Sequence, residues 1–194
     1  MEEENLKKVI LQPIDSSLQK KPEKIVKEKN KRVVTKSKKW VFNEEDLLIE
    51  NQQNSLILAK VLFHQKKTNE IENLEKNVDK KTTFLLQQIQ QKVYGYKSQD
   101  QEKSLYMPTE FIDCDYVIEK LIACPLCFYC RESVQVLYEF VREPKQWTLD
   151  RIDNKLGHNR GNVEIACLRC NLRRRIMHHE RFIFTKQLTI TKIE

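Results

Sequence analysis

Five of the six cysteines in this 194-residue chain fall in two short stretches of its C-terminal half, CPLCFYC and ACLRC. ACLRC supplies Cys167 and Cys170, and CPLCFYC supplies either Cys124 and Cys127 or Cys127 and Cys130. A CxxC turn presents two sulfurs to one ion, and four thiolates bind zinc tetrahedrally. We therefore predict metal binding in a reducing compartment rather than a disulfide scaffold.

The choice of the first cysteine pair depends on the segment that follows it. Cys127 and Cys130 would place the turn directly before SVQVLYEFV, whose alternation predicts a strand over 133–141. Cys124 is then left over, and Cys114 is expected to pack on a helix face. The predicted zinc ligands are therefore Cys127, Cys130, Cys167 and Cys170.

A structural zinc site needs only its thiolates, so it leaves four polar residues near the cysteines unexplained. They are Asp150, His158, Asn162 and Asn171. If TLDRI and NVEIA pair as a hairpin closed by NKLGHNRG, the helix that begins near Leu168 would pack across it. Asp150 and Asn171 could then meet over one divalent ion that prefers oxygen ligands, such as Mg²⁺.

These motifs, in this order, resemble the HNH endonucleases of the ββα-metal (His-Me finger) fold. The resemblance covers roughly residues 124–175 and rests on CFYC, LDRIDN, GHNRGN and ACLRCN followed by a basic run. The string is most similar to HNH proteins of large DNA viruses. Its CLRCN ending also resembles the phage junction-resolving recombination endonuclease, in which an asparagine directly follows the last cysteine.

The resemblance implies hydrolysis of DNA phosphodiester bonds with one catalytic Mg²⁺ or Mn²⁺ ion beside the structural zinc. Asp150 matches the family's metal-binding aspartate, and Asn171 matches its second metal ligand. Asn162 matches the asparagine that braces the hairpin. The cysteines at 127, 130, 167 and 170 match the structural zinc ligands.

One position departs from the family pattern. Arg151 stands where the family's general base follows the aspartate, and arginine cannot accept a proton from water at neutral pH. His158 is the nearest histidine in the sequence. It is either the general base or a residue of the loop that contacts phosphate or caps the turn. His178 and His179 are expected at the surface or on DNA.

The charge of the chain favours an acidic polymer as partner. Its 35 Lys and Arg residues outnumber its 28 Asp and Glu residues, which gives a net charge of +7. Nucleic acid is the first candidate for such a chain, and we expect DNA, duplex or branched. The arginines predicted to contact DNA are Arg160, Arg169, Arg173, Arg174 and Arg175.

The elements that must position these residues define an α+β protein with three parts. Residues 1–39 form a basic arm that is predicted to be disordered. Residues 40–104 form a helical region, and 105–194 carry the ββα-metal HNH domain with its structural zinc. The helical region is a hairpin or a coil, and it is a candidate surface for a homodimer.

The helical region contains two periodic apolar stretches. Asn43 followed by EED predicts the start of a helix that ends near residue 66. A second helix is expected over 70–94, with Gly95 at its C-cap and a polar linker over 97–103.

The C-terminal part is expected to begin with a helix over 107–123, capped by Thr109 or Asp113. After the strands and the helix LRCNLRRRIM, a last helix is predicted over 179–188.

Other features limit the class of protein. An apolar run of 18 residues and a signal-peptide core are both missing, so we expect no membrane partner. We expect an intracellular protein, in the nucleus or a viral replication compartment if it comes from a eukaryotic virus. The alternatives to an endonuclease are a zinc-stapled nucleic-acid-binding protein that has lost cleavage, and an interaction protein that binds through its helical half.

Overall fold

The structure is a computed structural model that describes residues 35, 36, 40–68 and 79–188. All of these residues belong to one compact unit that begins at Val34. The predicted basic arm, except for Thr35 and Lys36, lies outside the described residues, as do residues 69–78 and the last six residues from 189 onwards.

Three helices form the first part of the described chain. They are α1 (Ile49–Thr68), which follows a short 3-10 helix (Glu44–Leu47), α2 (Lys80–Glu102) and α3 (Cys114–Ala123). As predicted, Asn43 begins the first helical turn, and its backbone N–H donates to the Asp46 carboxylate at 2.9 Å. Asp113 caps α3, because its carboxylate accepts from the Tyr116 N–H at 2.9 Å. Thr109 lies in a turn before this helix.

The predictions for Gly95 and for a linker over 97–103 are wrong, because α2 continues past Gly95 and ends only at Glu102. The helix extends because tertiary packing involves two polar residues beyond Gly95. The Tyr96 hydroxyl accepts from the Leu149 N–H at 2.9 Å. Asp100 is completely buried. A polar composition therefore did not indicate an exposed linker.

The predicted strand over 133–141 is also wrong. Its residues make only isolated bridges, at Ser133, Gln135 and Phe140. The Val136 and Leu137 N–H groups instead donate to the buried side-chain oxygen of Gln52 on α1, at 2.7 and 3.0 Å. A helix side chain thus takes the hydrogen bonds that a neighbouring strand would have provided.

The predicted hairpin is present. Strand β1 (Trp147–Arg151) pairs antiparallel with β2 (Val163–Cys167), and Asp150 lies opposite Glu164. Helix α4 (Leu168–Arg174) follows β2 directly and contacts both strands. It is shorter than the predicted helix because Arg175 has a left-handed φ of 53°. Helix α5 (His179–Gln187) follows.

In the described residues the chain is therefore an α+β protein with five α-helices and a two-stranded antiparallel sheet. Its core is continuous across the boundary predicted near residue 104. Leu56 and Ile89 of the helical region are fully buried in the same apolar cluster as Ile118 and Trp147. None of the described helices is both long and apolar enough to cross a membrane.

Helix α1 also exposes apolar side chains. Ile57, Leu58 and Val61 are each about half exposed. The homodimer contact expected of the helical region stays a prediction.

Candidate functional site

The four predicted zinc ligands converge on one point. The Sγ atoms of Cys127, Cys130, Cys167 and Cys170 all lie within 4.8 Å of one another. Cys124 is exposed and lies outside this group, and Cys114 is half-buried on α3. The choice of Cys127 and Cys130 as the first pair is therefore confirmed, and the cluster could hold a metal ion such as zinc.

Short backbone contacts build the cluster. The turn CFYCRE closes when the Cys127 N–H donates to the Glu132 carbonyl at 2.8 Å, and Arg131 takes a left-handed φ of 58°. At the other turn, where β2 meets α4, the Cys170 N–H donates to the Cys167 sulfur at 3.4 Å. Such N–H donors stabilise thiolates, which are the form of cysteine that binds metal.

The electrostatics of the cluster also fit a cation. Hydrogen bonding from the Cys167 thiol lowers the pKa of Cys127. Burial and the nearby Cys127 charge raise the pKa of Cys170. Without a cation the cluster therefore holds one thiolate more readily than four, since each further negative charge lies next to the first. A metal dication would offset that repulsion.

A second polar site lies on the hairpin and α4. It is an open cleft of about 250 Å³ between β1, α4, the end of α2 and the loop that joins the strands. Five of the predicted site residues line this cleft: Asp150, Arg151, His158, Asn171 and Arg175. Asn162 does not belong to its lining.

Asp150 is buried, and both of its carboxylate oxygens already have a protein partner. Oδ2 accepts from the Tyr129 hydroxyl at 2.6 Å, and Oδ1 accepts from Nη1 of Arg174 at 2.9 Å. Burial raises the pKa of Asp150, while Tyr129 and the charge of Arg174 act in the opposite direction. Each carboxylate oxygen has two lone pairs, so each keeps one for a further ligand.

Asn171 offers one uncommitted oxygen to the cleft. Its amide nitrogen donates to the Thr148 hydroxyl at 3.0 Å and to the Leu149 carbonyl at 3.2 Å. These two acceptors identify which end of the amide is nitrogen. The side-chain oxygen Oδ1 makes no hydrogen bond within the described residues, so it is available as an oxygen ligand.

Asn162 spans the loop between the strands. Its amide nitrogen donates to the Asp153 and Gly157 carbonyls at 3.0 and 2.9 Å, and its oxygen accepts from the Asp153 N–H at 2.9 Å. These contacts hold the loop closed, which is how a bracing residue would act.

His158 is the histidine of the cleft, and its side chain is only 5 % exposed. Nδ1 lies 2.8 Å from Oδ1 of Asp100, and the ring stacks on Tyr96 with centroids 4.5 Å apart. Burial lowers the pKa of His158, although Asp100 acts to raise it. The imidazole is therefore neutral at neutral pH, as a general base must be.

The residue before His158 must be glycine. A Cβ at Gly157 would lie 2.5 Å from the Leu105 carbonyl oxygen and 2.8 Å from Oδ2 of Asp100. Real Cβ atoms do not approach backbone oxygens so closely. The GH dipeptide of the sequence thus marks where the loop is pressed against the end of α2.

The predicted DNA-contacting arginines differ in exposure. Arg174 is 1 % exposed, and besides Asp150 it binds the carbonyls of Arg151 and Ile152 at 2.7 and 3.0 Å. It therefore cannot reach a phosphate, and its prediction as a DNA contact is corrected to that of a buried brace. Arg173 and Arg175 are exposed.

The other arginines already have protein partners. Arg160 pairs with Asp113 at 2.7 Å and Arg169 with Glu132 at 2.9 Å, and all four side chains are exposed by a third or more. Arg151 donates to the Leu156 carbonyl at 3.1 Å, and its Nη1 lies 4.0 Å from Oδ1 of Asp100. His178 is exposed and His179 is half-buried.

Sequence reasoning missed three residues that contact the predicted site residues. Asp100 and Tyr96 lay in and next to the predicted linker, and Tyr129 is a middle residue of CFYC. Only Tyr129 had a local signal, because it lies inside the metal-binding motif.

No protein-family model, curated protein or solved structure matches this chain.

Proposed function

We propose that this protein is a metal-dependent DNA endonuclease of the HNH type, in which β1, β2 and α4 form the ββα-metal unit. The observation that carries the proposal is the cleft itself. It brings together a carboxylate, an uncommitted amide oxygen, a neutral histidine and an exposed arginine, contributed by Asp150, Asn171, His158 and Arg175. Oxygen ligands, a base and a phosphate-binding cation are what single-metal hydrolysis of a phosphodiester requires.

The four-cysteine cluster is proposed to hold structural zinc. Four sulfur ligands fill a tetrahedral site and leave no position for water or substrate. Zinc would join the CFYC turn to the junction of β2 and α4 and so fix the elements that carry Asp150 and Asn171.

Asp150 and Asn171 are proposed to hold Mg²⁺ or Mn²⁺, hard ions that prefer oxygen ligands. When bound, the ion would stabilise the charge on the leaving oxygen and on the phosphate. The free lone pairs of Asp150 and the free oxygen of Asn171 fit this role.

His158 is proposed to take the proton from the attacking water. It would do the work of the HNH family's general base, whose position Arg151 occupies in this chain. Arg175, exposed at the cleft, would bind the scissile or a neighbouring phosphate. Arg173 would extend this contact along the backbone of the DNA.

The second candidate is a zinc-stapled DNA-binding protein that no longer cleaves. One observation favours it: the guanidinium of Arg174 is fixed at 2.9 Å from Asp150, and a cation at that distance opposes binding of a dication. DNA binding without cleavage would follow if Asp150 serves only as the partner of Arg174.

Cleavage assays separate the two candidates. The full chain, with metal in its cysteine cluster, is incubated with linear, supercoiled and four-way-junction DNA in the presence of Mg²⁺ or Mn²⁺. The endonuclease predicts products that disappear when both ions are left out and when Asn171 is changed to Ala. An Asp79→Asn variant, which removes a charge at the exposed N-cap of α2 but keeps a capping side chain, should cleave like the parent. A gel shift with no product on any substrate would assign the binding protein instead.

A further inference from the structure

Asp100 is a charged residue in an unusual position. Its side chain has no exposed surface, although it lies only two residues before the end of α2. Burying a carboxylate is costly unless it is paired and hydrogen-bonded. Its partners therefore indicate what the carboxylate is for.

Both of its oxygens bind one residue. Oδ1 lies 2.8 Å from Nδ1 of His158, and Oδ2 accepts from the backbone N–H of the same residue at 2.6 Å. Arg151 pairs with it more distantly, since its Nη1 lies 4.0 Å from Oδ1. The carboxylate therefore binds both the ring and the backbone of His158. It fixes the position of the ring and also determines which hydrogen bond Nδ1 makes.

The surrounding contacts leave the ring little freedom. Tyr96, one turn earlier on α2, stacks on the imidazole at an interplanar angle of 29°. The close approach at Gly157 holds the loop against α2. Nε2 makes no hydrogen bond to any described residue, so it is the ring nitrogen left for the cleft.

We propose that Asp100 is a positioning residue that keeps His158 in the tautomer with the proton on Nδ1 and the lone pair on Nε2. A carboxylate can only accept, so the neutral imidazole must donate from Nδ1. The catalytic value of this arrangement rests on the proposed function, in which Nε2 takes a proton from water. The inference makes α2, outside the segment that resembles the HNH proteins, a part of the site.

The test replaces Asp100 by asparagine and reads the tautomer directly. Asn keeps the shape of Asp but offers a donor as well as an acceptor, so it no longer requires Nδ1–H. Nitrogen NMR of ¹⁵N-histidine-labelled full chain, with metal in the cysteine cluster, reports the protonation of each ring nitrogen. The signal of His158 is identified by its loss in His158→Asn. The control is Asp79→Asn, which makes the same charge change at the exposed start of the same helix.

In the parent we expect Nδ1–H and a bare Nε2. In Asp100→Asn we expect a shift toward Nε2–H, and a fall in single-turnover cleavage of about 10²-fold or more with DNA affinity unchanged. Asp79→Asn should show neither change. If Asp100→Asn does not fold, the tautomer of the parent decides by itself.

Two results would overturn the role of Asp100. One is a parent with Nε2–H at His158, and the other is an Asp100→Asn variant with the parent's tautomer and the parent's cleavage rate. A parent that shows Nδ1–H but cleaves no DNA would instead refute the proposed function and leave the positioning of His158 by Asp100 established.

Discussion

The cysteine cluster and the cleft lie on the same hairpin and helix, but they are assembled differently. Each half of the cluster comes from residues three apart in the sequence, Cys127 with Cys130 and Cys167 with Cys170. The cleft instead combines β1, α4, the loop between the strands and the end of α2. The cluster therefore depends on local turns, and the cleft depends on the tertiary packing that those turns stabilise.

The largest effect is expected from removing one ligand of the cysteine cluster. Cys170→Ser should lose the metal and unfold the hairpin and α4, because structural zinc sites contribute about 10–16 kcal/mol to the folding of small modules. Cys124→Ser should keep both metal and fold, since Cys124 is exposed and outside the cluster. Metal content and thermal unfolding, measured on both variants, check this. Metal loss from Cys124→Ser with retention by Cys170→Ser would contradict the assignment.

The next largest effect is expected on stability, from the ion pair buried beneath the cleft. Arg174→Ala should destabilise the protein by about 3–5 kcal/mol, because it leaves the buried carboxylate of Asp150 without its ion pair. Metal content of the cysteine cluster should not change. Denaturant unfolding measures the difference. A loss below about 1 kcal/mol, the range of exposed ion pairs, would show that the pair is not buried in solution.

For the neighbouring Arg175 we expect the opposite result, an effect on DNA binding and none on stability. Arg175→Ala should leave stability unchanged, since the side chain is exposed, and should weaken DNA binding. Each lost phosphate contact should reduce the slope of log K against log salt by about 0.9 on duplex DNA. Binding isotherms at several salt concentrations test this, with Arg142→Ala, an exposed arginine not among the cleft-lining residues, as control. An unchanged slope would remove Arg175 from the DNA interface.

The smallest expected effect is on pH dependence. Because burial lowers the pKa of His158 below its unfolded value, its neutral form contributes stability that is present above about pH 6.5 and lost as pH falls below that value. Among the described residues, Asp100, Arg151 and Lys103 act electrostatically on the ring, and Tyr96 stacks on it.

Melting temperatures of the parent and of His158→Asn across this range measure the contribution. The parent should lose stability on acidification more steeply than the variant. Parallel curves would show that the ring is not held neutral by burial.

The same contrast explains how much the sequence could reveal. The hairpin, the helix after it and the four cysteines are encoded by short motifs, so TLDRI, NVEIA and the CxxC pairs predicted them. Gln52 shows why the strand over 133–141 was not predictable. Alternating residues suggested a ladder, but a side chain from a distant helix takes the hydrogen bonds.

The cleft shows the same limit. Asp150, His158 and Asn171 were identified by residue type and spacing, and all three line it. Asp100 and the burial of Arg174 were not, because both follow from packing between elements far apart in the sequence. Arg173, Arg174 and Arg175 are consecutive and identical in type, and only the packing distinguishes the buried Arg174 from its two exposed neighbours.

The most direct test of the proposed endonuclease activity is single-turnover nicking of supercoiled plasmid, with Mg²⁺, by the parent and by His158→Asn. Because Asn can donate to Asp100 as Nδ1 does, folding and DNA affinity should be retained. Asn has no basic nitrogen, so it cannot take a proton from water. The account predicts a parent that nicks and a variant that is slower by roughly 10² to 10⁴, the usual contribution of a general base. Equal rates in the two proteins, with DNA bound equally well, would contradict the account.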